Sequence, residues 1–179
     1  MKILGDSLES RKSVIRKKYE LTDETIVHNG RILRRIRALQ NFGYVRAGEL
    51  GGYVQSVANL SQDGYCWISG QAKVYDDAFI YGNVIVDSAV DISGNVQVFG
   101  YGHITDRVTI KDNVLIYGNS IISGNANISG NCKLYGFNTI KNIYLQDDVI
   151  LYGNNNISGV IKISGNSQMY NTTLVFGIT

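Results

Sequence analysis

An aliphatic residue occupies every sixth position from Ile68 through Val74, Ile80, Val86, Ile92, Val98, Ile104, Ile110, Ile116, Ile122, Ile128 and Leu134 to Ile140. After a slip of one residue the series resumes at Leu145, Leu151, Ile157, Ile163, Met169 and Val175. A six-residue period fits neither an amphipathic helix nor a plain alternating strand; it is the signature of a parallel β-helix. Each unit, as in Lys73-Val74-Tyr75-Asp76-Asp77-Ala78, supplies one short strand and one corner, so three units should close a triangular coil of 18 residues. Taking the residue after each core aliphatic in steps of 18 gives Tyr81, Phe99, Tyr117 and Tyr135, then Tyr152 and Tyr170 once the slip is allowed for. The other two registers give Tyr75, Ser93, Lys111, Ser129, Gln146, Ser164 and Ser69, Asp87, Thr105, Ser123, Lys141, Ser158. One face is therefore aromatic and two are polar.

Side chains alternate along a strand, so an inward Ile80 puts Phe79 and Tyr81 outside. A second inward position falls on small residues, among them Ala72, Ala78, Val84, Val90, Val96, Val108, Val114, Ala126, Cys132 and Val149. Between the two lie pairs such as Gly82-Asn83, Gly94-Asn95 and Gly130-Asn131, which tolerate the left-handed backbone of a tight corner. From Trp67 to the end there is chain for about six coils, a prism on the order of 30 Å long. The slip at Lys141-Asn142-Ile143-Tyr144 shortens one corner, and no insertion is long enough to form an extruded loop.

With 179 residues and 44% hydrophobic content the chain reads as one soluble unit. No stretch approaches the roughly 20 apolar residues of a membrane span, and Met1-Lys2-Ile3-Leu4-Gly5-Asp6 is not a signal peptide. A cytoplasmic location in a bacterial host is expected, with no membrane contact. Cys66 and Cys132 read as small inward residues, without metal spacing or a disulfide framework, and no cofactor is implied.

Charge divides unevenly. Residues 1–46 hold 11 Lys/Arg against 5 Asp/Glu, a net +6, and residues 47–179 hold 6 against 10, a net −4. The basic candidates are Arg16, Lys17 and Lys18, beside Arg11 and Lys12, and then Arg31, Arg34, Arg35 and Arg37. Without interleaved aromatics they read as solvated faces, and at most weak, salt-sensitive binding to nucleic acid is expected.

Asp6 and Glu9 resemble a capping pair for a helix over about residues 7–18, and Asn29-Gly30 between two β-prone runs signals a hairpin. Residues 1–66 are thus expected to form a head that covers the N-terminal end of a solenoid spanning 67–179. The segments Tyr19-Glu20-Leu21-Thr22-Asp23-Glu24-Thr25, Leu33-Arg34-Arg35-Ile36-Arg37-Ala38-Leu39, Ala47-Gly48-Glu49-Leu50-Gly51-Gly52-Tyr53-Val54 and Asn59-Leu60-Ser61-Gln62-Asp63-Gly64-Tyr65-Cys66-Trp67, followed by Tyr-Gly-Asn units, resemble the YdcK-like hexapeptide proteins of prophages and bacterial genomes. The resemblance runs from about Tyr19 to the C-terminus. It implies a three-sided, left-handed parallel β-helix with a small capping head and a prophage setting, and no catalytic residues.

Hexapeptide acyltransferases use a histidine base, and only His28 and His103 are present, too few for a three-histidine zinc site. Asp76-Asp77 and Asp147-Asp148 fall at corners, where their side chains bond the local backbone. The chain therefore reads as a non-catalytic, self-associating binding or scaffold protein, prophage-encoded and directed at a host macromolecule, such as a counter-defence inhibitor. The alternatives are a hexapeptide-repeat acyltransferase working through His103 and a structural or virion-associated module. Phe79, Tyr81, Phe99, Leu115, Tyr117, Tyr135, Ile150, Tyr152 and Tyr170 form the expected interface, with Tyr101 and Phe137 at the adjoining corner. A homo-oligomer, trimer or dimer, is expected along it, with a host protein as further partner.

Overall fold

The computed structural model describes residues 17–177, an all-β chain whose parallel coils stack into a solenoid of about seven turns. Of the helix expected over 7–18 only Lys17 and Lys18 fall within these residues, and neither is helical; Arg11, Lys12 and Arg16 lie outside them.

The repeat sets the pairing. His103 lies beside both Ile85 and Ile121, Thr109 beside Asp91 and Asn127, and Leu115 beside Gln97 and Lys133, so each rung meets the one 18 residues away on all three sides. The aliphatic series from Ile68 to Ile157 is buried throughout, as are the second inward residues from Ala72 to Val149. The slip also falls where expected. Lys141 pairs with Ser158 but Ile143 with Ile161, and Asn142 takes a left-handed φ of 56° at the shortened corner.

In the head, β1 (Tyr19–His28) and β2 (Arg31–Ala38) form the expected antiparallel hairpin. Asn29 and Gly30 turn it with φ of 47° and 74°, the positive pair a two-residue loop needs to match strand twist. β3 (Leu50–Val54) pairs antiparallel with β2 on one side and parallel with Lys73–Val74 on the other. Leu60 then bridges Ile80 in parallel. Solenoid pairing thus begins at β3, upstream of the expected boundary at residue 66, because the first coil borrows strands from the head.

Tyr19, Phe42 and Trp67 close the top of the core, with Trp67 meeting the other two edge-on at 6.5 and 5.5 Å. Lys18, counted above among the solvated basic residues, is only 1% exposed. Its ammonium donates to the Cys66 and Asp63 carbonyls at 3.0 and 3.2 Å and lies 3.2 Å from the Cys66 sulfur. Burial lowers its pKa, against the raising influence of Cys66 and Asp63, and burial raises that of the Cys66 thiol. Lys18 is a clasp between head and first coil rather than part of a basic surface. A charge run read from sequence carries no sign that one member is tethered by carbonyls.

The coils change character along the axis. Early rungs have two-residue strands, Phe79–Ile80 and Ile85–Val86 for example, separated by turns. Later strands are continuous, over Leu115–Ser123, Lys133–Leu145, Ile150–Ile163 and Gln168–Phe176. The corner glycines on the aromatic side change with them: φ is 69° at Gly64 and 77° at Gly82, but 103°, 112°, 94° and 103° at Gly100, Gly118, Gly136 and Gly153. In the second geometry the ladder runs straight round the corner, pairing Gly118 with Gly136 and Gly136 with Gly153. A Cβ on Gly118 would lie 2.3 Å from the Gly136 carbonyl oxygen, so no other residue fits there.

Candidate binding face

The interface residues expected from sequence do lie on one side of the prism, but the rings behave differently along it. Phe79 stacks on Tyr81, Tyr81 on Phe99 and Phe99 on Tyr117, with centroids 5.0, 4.6 and 4.5 Å apart and planes within 27° of parallel. From Tyr81 to Tyr117 the spacing follows from the rise between rungs, about 4.8 Å, which suits ring stacking, whereas Phe79 and Tyr81 are neighbours on one rung. The first three rings of that stack are half-buried.

Among the described residues, the ring contacts then break. Tyr117 and Tyr135 are aligned across adjacent coils, yet the next ring contacts are Tyr135 with Tyr152 at 6.5 Å and 60°, and Tyr152 with Tyr170 at 6.3 Å and 52°. Tyr117, Tyr152 and Tyr170 are each about half exposed, and Phe137, across the corner, is 61% exposed. Leu115 and Ile150 flank the ring column half-buried. At the break lies a groove of about 340 Å3, lined by Tyr117, Tyr135, Phe137 and Tyr152 with Gly136, Gly153 and Asn154. A larger groove, about 820 Å3, joins the head to the start of the same face, running from Tyr19, Leu21, Val57 and Leu60 to Phe79.

Behind the open rings the interior becomes polar. The inward column that starts with Cys66 and Val84 continues as Ser120, Asn138 and Asn155, all buried. Asn155 donates through Nδ2 to Asn138 Oδ1 at 2.8 Å, and Asn138 Nδ2 reaches Ser120 Oγ at 3.4 Å. Among the described residues Asn155 Oδ1 finds no hydrogen-bond partner. The column was discernible as a gap: the small inward residues read from sequence skip positions 102, 120 and 138.

The basic candidates do not form an open patch. Arg31 pairs with Asp76 at 2.8 Å, Arg35 with Glu24 at 3.0 Å and Arg37 with Glu20. Arg35 also donates to the Gly51 carbonyl and lies over the Tyr53 ring. Lys17 and Arg34 remain exposed. Periodicity gave no means of seeing that acids within β1 would face the arginines of β2.

Both histidines are paired with aspartates. His28, at the end of β1, bonds Asp91 at 2.5 Å and meets the buried Tyr75 edge-on, while Asn29 donates to the Tyr75 hydroxyl at 2.8 Å. The hairpin tip is thereby fastened to the solenoid. His103 lies 3.0 Å from Asp87, whose other oxygen accepts from Thr105 and Ser88. Burial opposes ionisation of Asp87, but the bonds from Thr105, His103 and Ser88 outweigh it and hold its carboxyl below the usual range. Partial burial, with help from Asp87 and Glu49, pushes the nearby Tyr44 phenol up to about 12. His103 lines neither groove described above.

The corner acids do not bond the local backbone as expected. Asp147 accepts from the Gly165 amide and Asp112 from the Gly130 amide, each one coil away, while Asp148 ends a side-chain ladder of Asn95, Asn113 and Asn131, and Asp76 pairs with Arg31. Among the described residues no cluster of His, Cys, Asp and Glu is placed to hold a metal ion. Cys66 and Cys132 are both buried and unbridged, and among the described residues no helix is long and apolar enough to cross a membrane. No protein-family model matches the chain, and no curated protein is similar to it in sequence.

Proposed function

We infer that the protein is a non-catalytic binding module that associates with itself through the aromatic face, chiefly through its later coils. The observation that carries this reading is the set of half-exposed rings at Tyr117, Tyr152 and Tyr170, the last two of them unstacked. Rings of the earlier coils shield one another; these do not, and a continuous apolar strip is more than a monomer ordinarily leaves in water. A face about 30 Å long and about 20 Å wide would bury on the order of 1,200 Å2 between two copies, the lower end of specific interfaces. The occupant is another copy, since closed symmetry is the usual way a repeated surface is satisfied. In the prophage setting that the sequence resemblance implies, the assembly would present its remaining faces to a host protein. Sedimentation at micromolar concentration tests the core of this reading. Wild type should run as a dimer or trimer, and Tyr117→Asp with Tyr135→Asp should give folded monomers, because the core aliphatics are untouched. A monomeric wild type would overturn it.

The His103 and Asp87 pair supports a second reading, a hexapeptide acyltransferase, because a carboxylate that orients an imidazole is how a general base is prepared. Its position outside both grooves weighs against it. Saturable acetyl-CoA turnover that vanishes in His103→Ala would establish this reading in place of the first.

A further inference from the structure

We propose that the break in the aromatic ladder is a cage for a small trialkylammonium group, the headgroup carried by choline. The cage belongs to the aromatic face and rests on the reading of that face as a binding surface. Four of its seven lining residues are aromatic, Tyr117, Tyr135, Phe137 and Tyr152, and none carries a charge. Tyr135 and Tyr152 meet at 60° with centroids 6.5 Å apart, so two walls stand at an angle rather than parallel. Parallel walls would suit a flat ring, which inserts between them. Angled walls instead surround a rounded group with apolar sides. A sugar would need several directed polar partners, and apart from the phenol hydroxyls Asn154 offers the only polar side chain in the lining. A trialkylammonium group satisfies these constraints, because its methyls pack on ring faces while its charge is attracted to their negative quadrupole.

The floor favours the same ligand. Gly136 and Gly153 carry no side chain, so the floor between the tyrosine column and Phe137 is bare backbone at the corner. Residues 113–179 hold three lysines against two aspartates, so the rings and not the local net charge supply the attraction for a cation. Lys133 precedes Tyr135 by two residues on the strand and so lies on the far side of that ring from the corner. Phe137 and Asn154 lie past the corner from the tyrosines, so the groove sits at the edge of the aromatic face.

Calorimetric titration of the full chain with choline chloride tests the cage, with the neutral carbon isostere of choline and phenol as controls. Choline should bind saturably, and the isostere, equal in shape but uncharged, about tenfold more weakly. Phe137→Ala should weaken choline binding about tenfold and Phe137→Trp should preserve or strengthen it, both with unchanged circular dichroism. Equal affinity for the isostere, stronger binding of phenol, or no saturable binding of choline would overturn the assignment. Sedimentation of the same samples separates the two ideas: a monomer that binds choline refutes self-association and keeps the cage, and an oligomer that ignores choline does the reverse.

Discussion

The coils before Gly100 and those after it build the same triangle by different means. In the early coils a left-handed turn at Gly64 or Gly82 interrupts the strands, the inner corner is filled by Cys66 or Val84, and the rings outside lie flat on one another. In the later coils glycines with φ near 100° carry the ladder round the bend, the inner corner holds Ser120, Asn138 and Asn155, and from Tyr135 on the rings outside splay apart. One repeat thus yields an early surface whose aromatics shield each other and a later one whose aromatics remain available. Composition shows part of this difference: both regions are rich in Gly and Tyr, but residues 100–179 hold twelve Asn against three in residues 47–99.

The sharpest way to break this comparison is at the corners. Gly118→Ala forces a Cβ to within 2.3 Å of the Gly136 oxygen at a φ of 112°, and should cost about 3–5 kcal/mol in chemical denaturation. Gly82→Ala, with a φ of 77° and its nearest clash at 3.1 Å, should cost about 1–2 kcal/mol. Equal losses would mean that the 2.3 Å approach at Gly118, which the early corner Gly64 shares, does not decide the cost of a side chain at the corner.

The interior column offers a smaller effect. Asn138→Leu removes the acceptor of Asn155 Nδ2 and strands that amide in the core, so a loss of about 2–3 kcal/mol is expected. Converting Ser120, Asn138 and Asn155 together to Ala, Val and Val should recover most of it, because no polar group is then left unpaired. Failure of the triple variant to recover would assign the column a role in shape rather than in hydrogen bonding.

The surface rings provide the smallest change and the closest test of the division. Phe99→Ala, taken from the middle of the stack, should lower stability by about 2 kcal/mol and leave the oligomer intact. Tyr152→Ala should cost under about 1 kcal/mol of stability yet weaken association about tenfold, as measured by sedimentation across a dilution series. If both variants lose stability and neither loses assembly, the open rings are no more of an interface than the stacked ones.

The contrast also marks what a single sequence makes legible. Ile80, Val98 and Ile116 could be placed because each side chain's surroundings repeat with the rung above and below, and the column from Tyr81 to Tyr170 could be placed for the same reason. The angle between Tyr135 and Tyr152 could not, because rotamers do not follow the period. Nor could the clasp of Lys18 on Cys66, which joins residues 48 apart in a head that has no repeat. Charge counting places Lys18 on the surface because it assumes water around every cation. The column of Ser120, Asn138 and Asn155 lay between: its positions were implied by the gaps, its hydrogen-bonded ladder was not.

The fastening of the hairpin tip bears on the order in which the molecule assembles. Each coil closes over 18 residues, as when the Gly124 amide meets Asp106, whereas the bond between His28 and Asp91 spans 63. The longer closure costs only about 1 kcal/mol more in chain entropy, but it has no site to close on until the strand bearing Asp91 is laid beside that of Lys73. Winding of the coils therefore precedes completion of the head, and the hairpin registers late, as a report that the rungs beneath it are already in place.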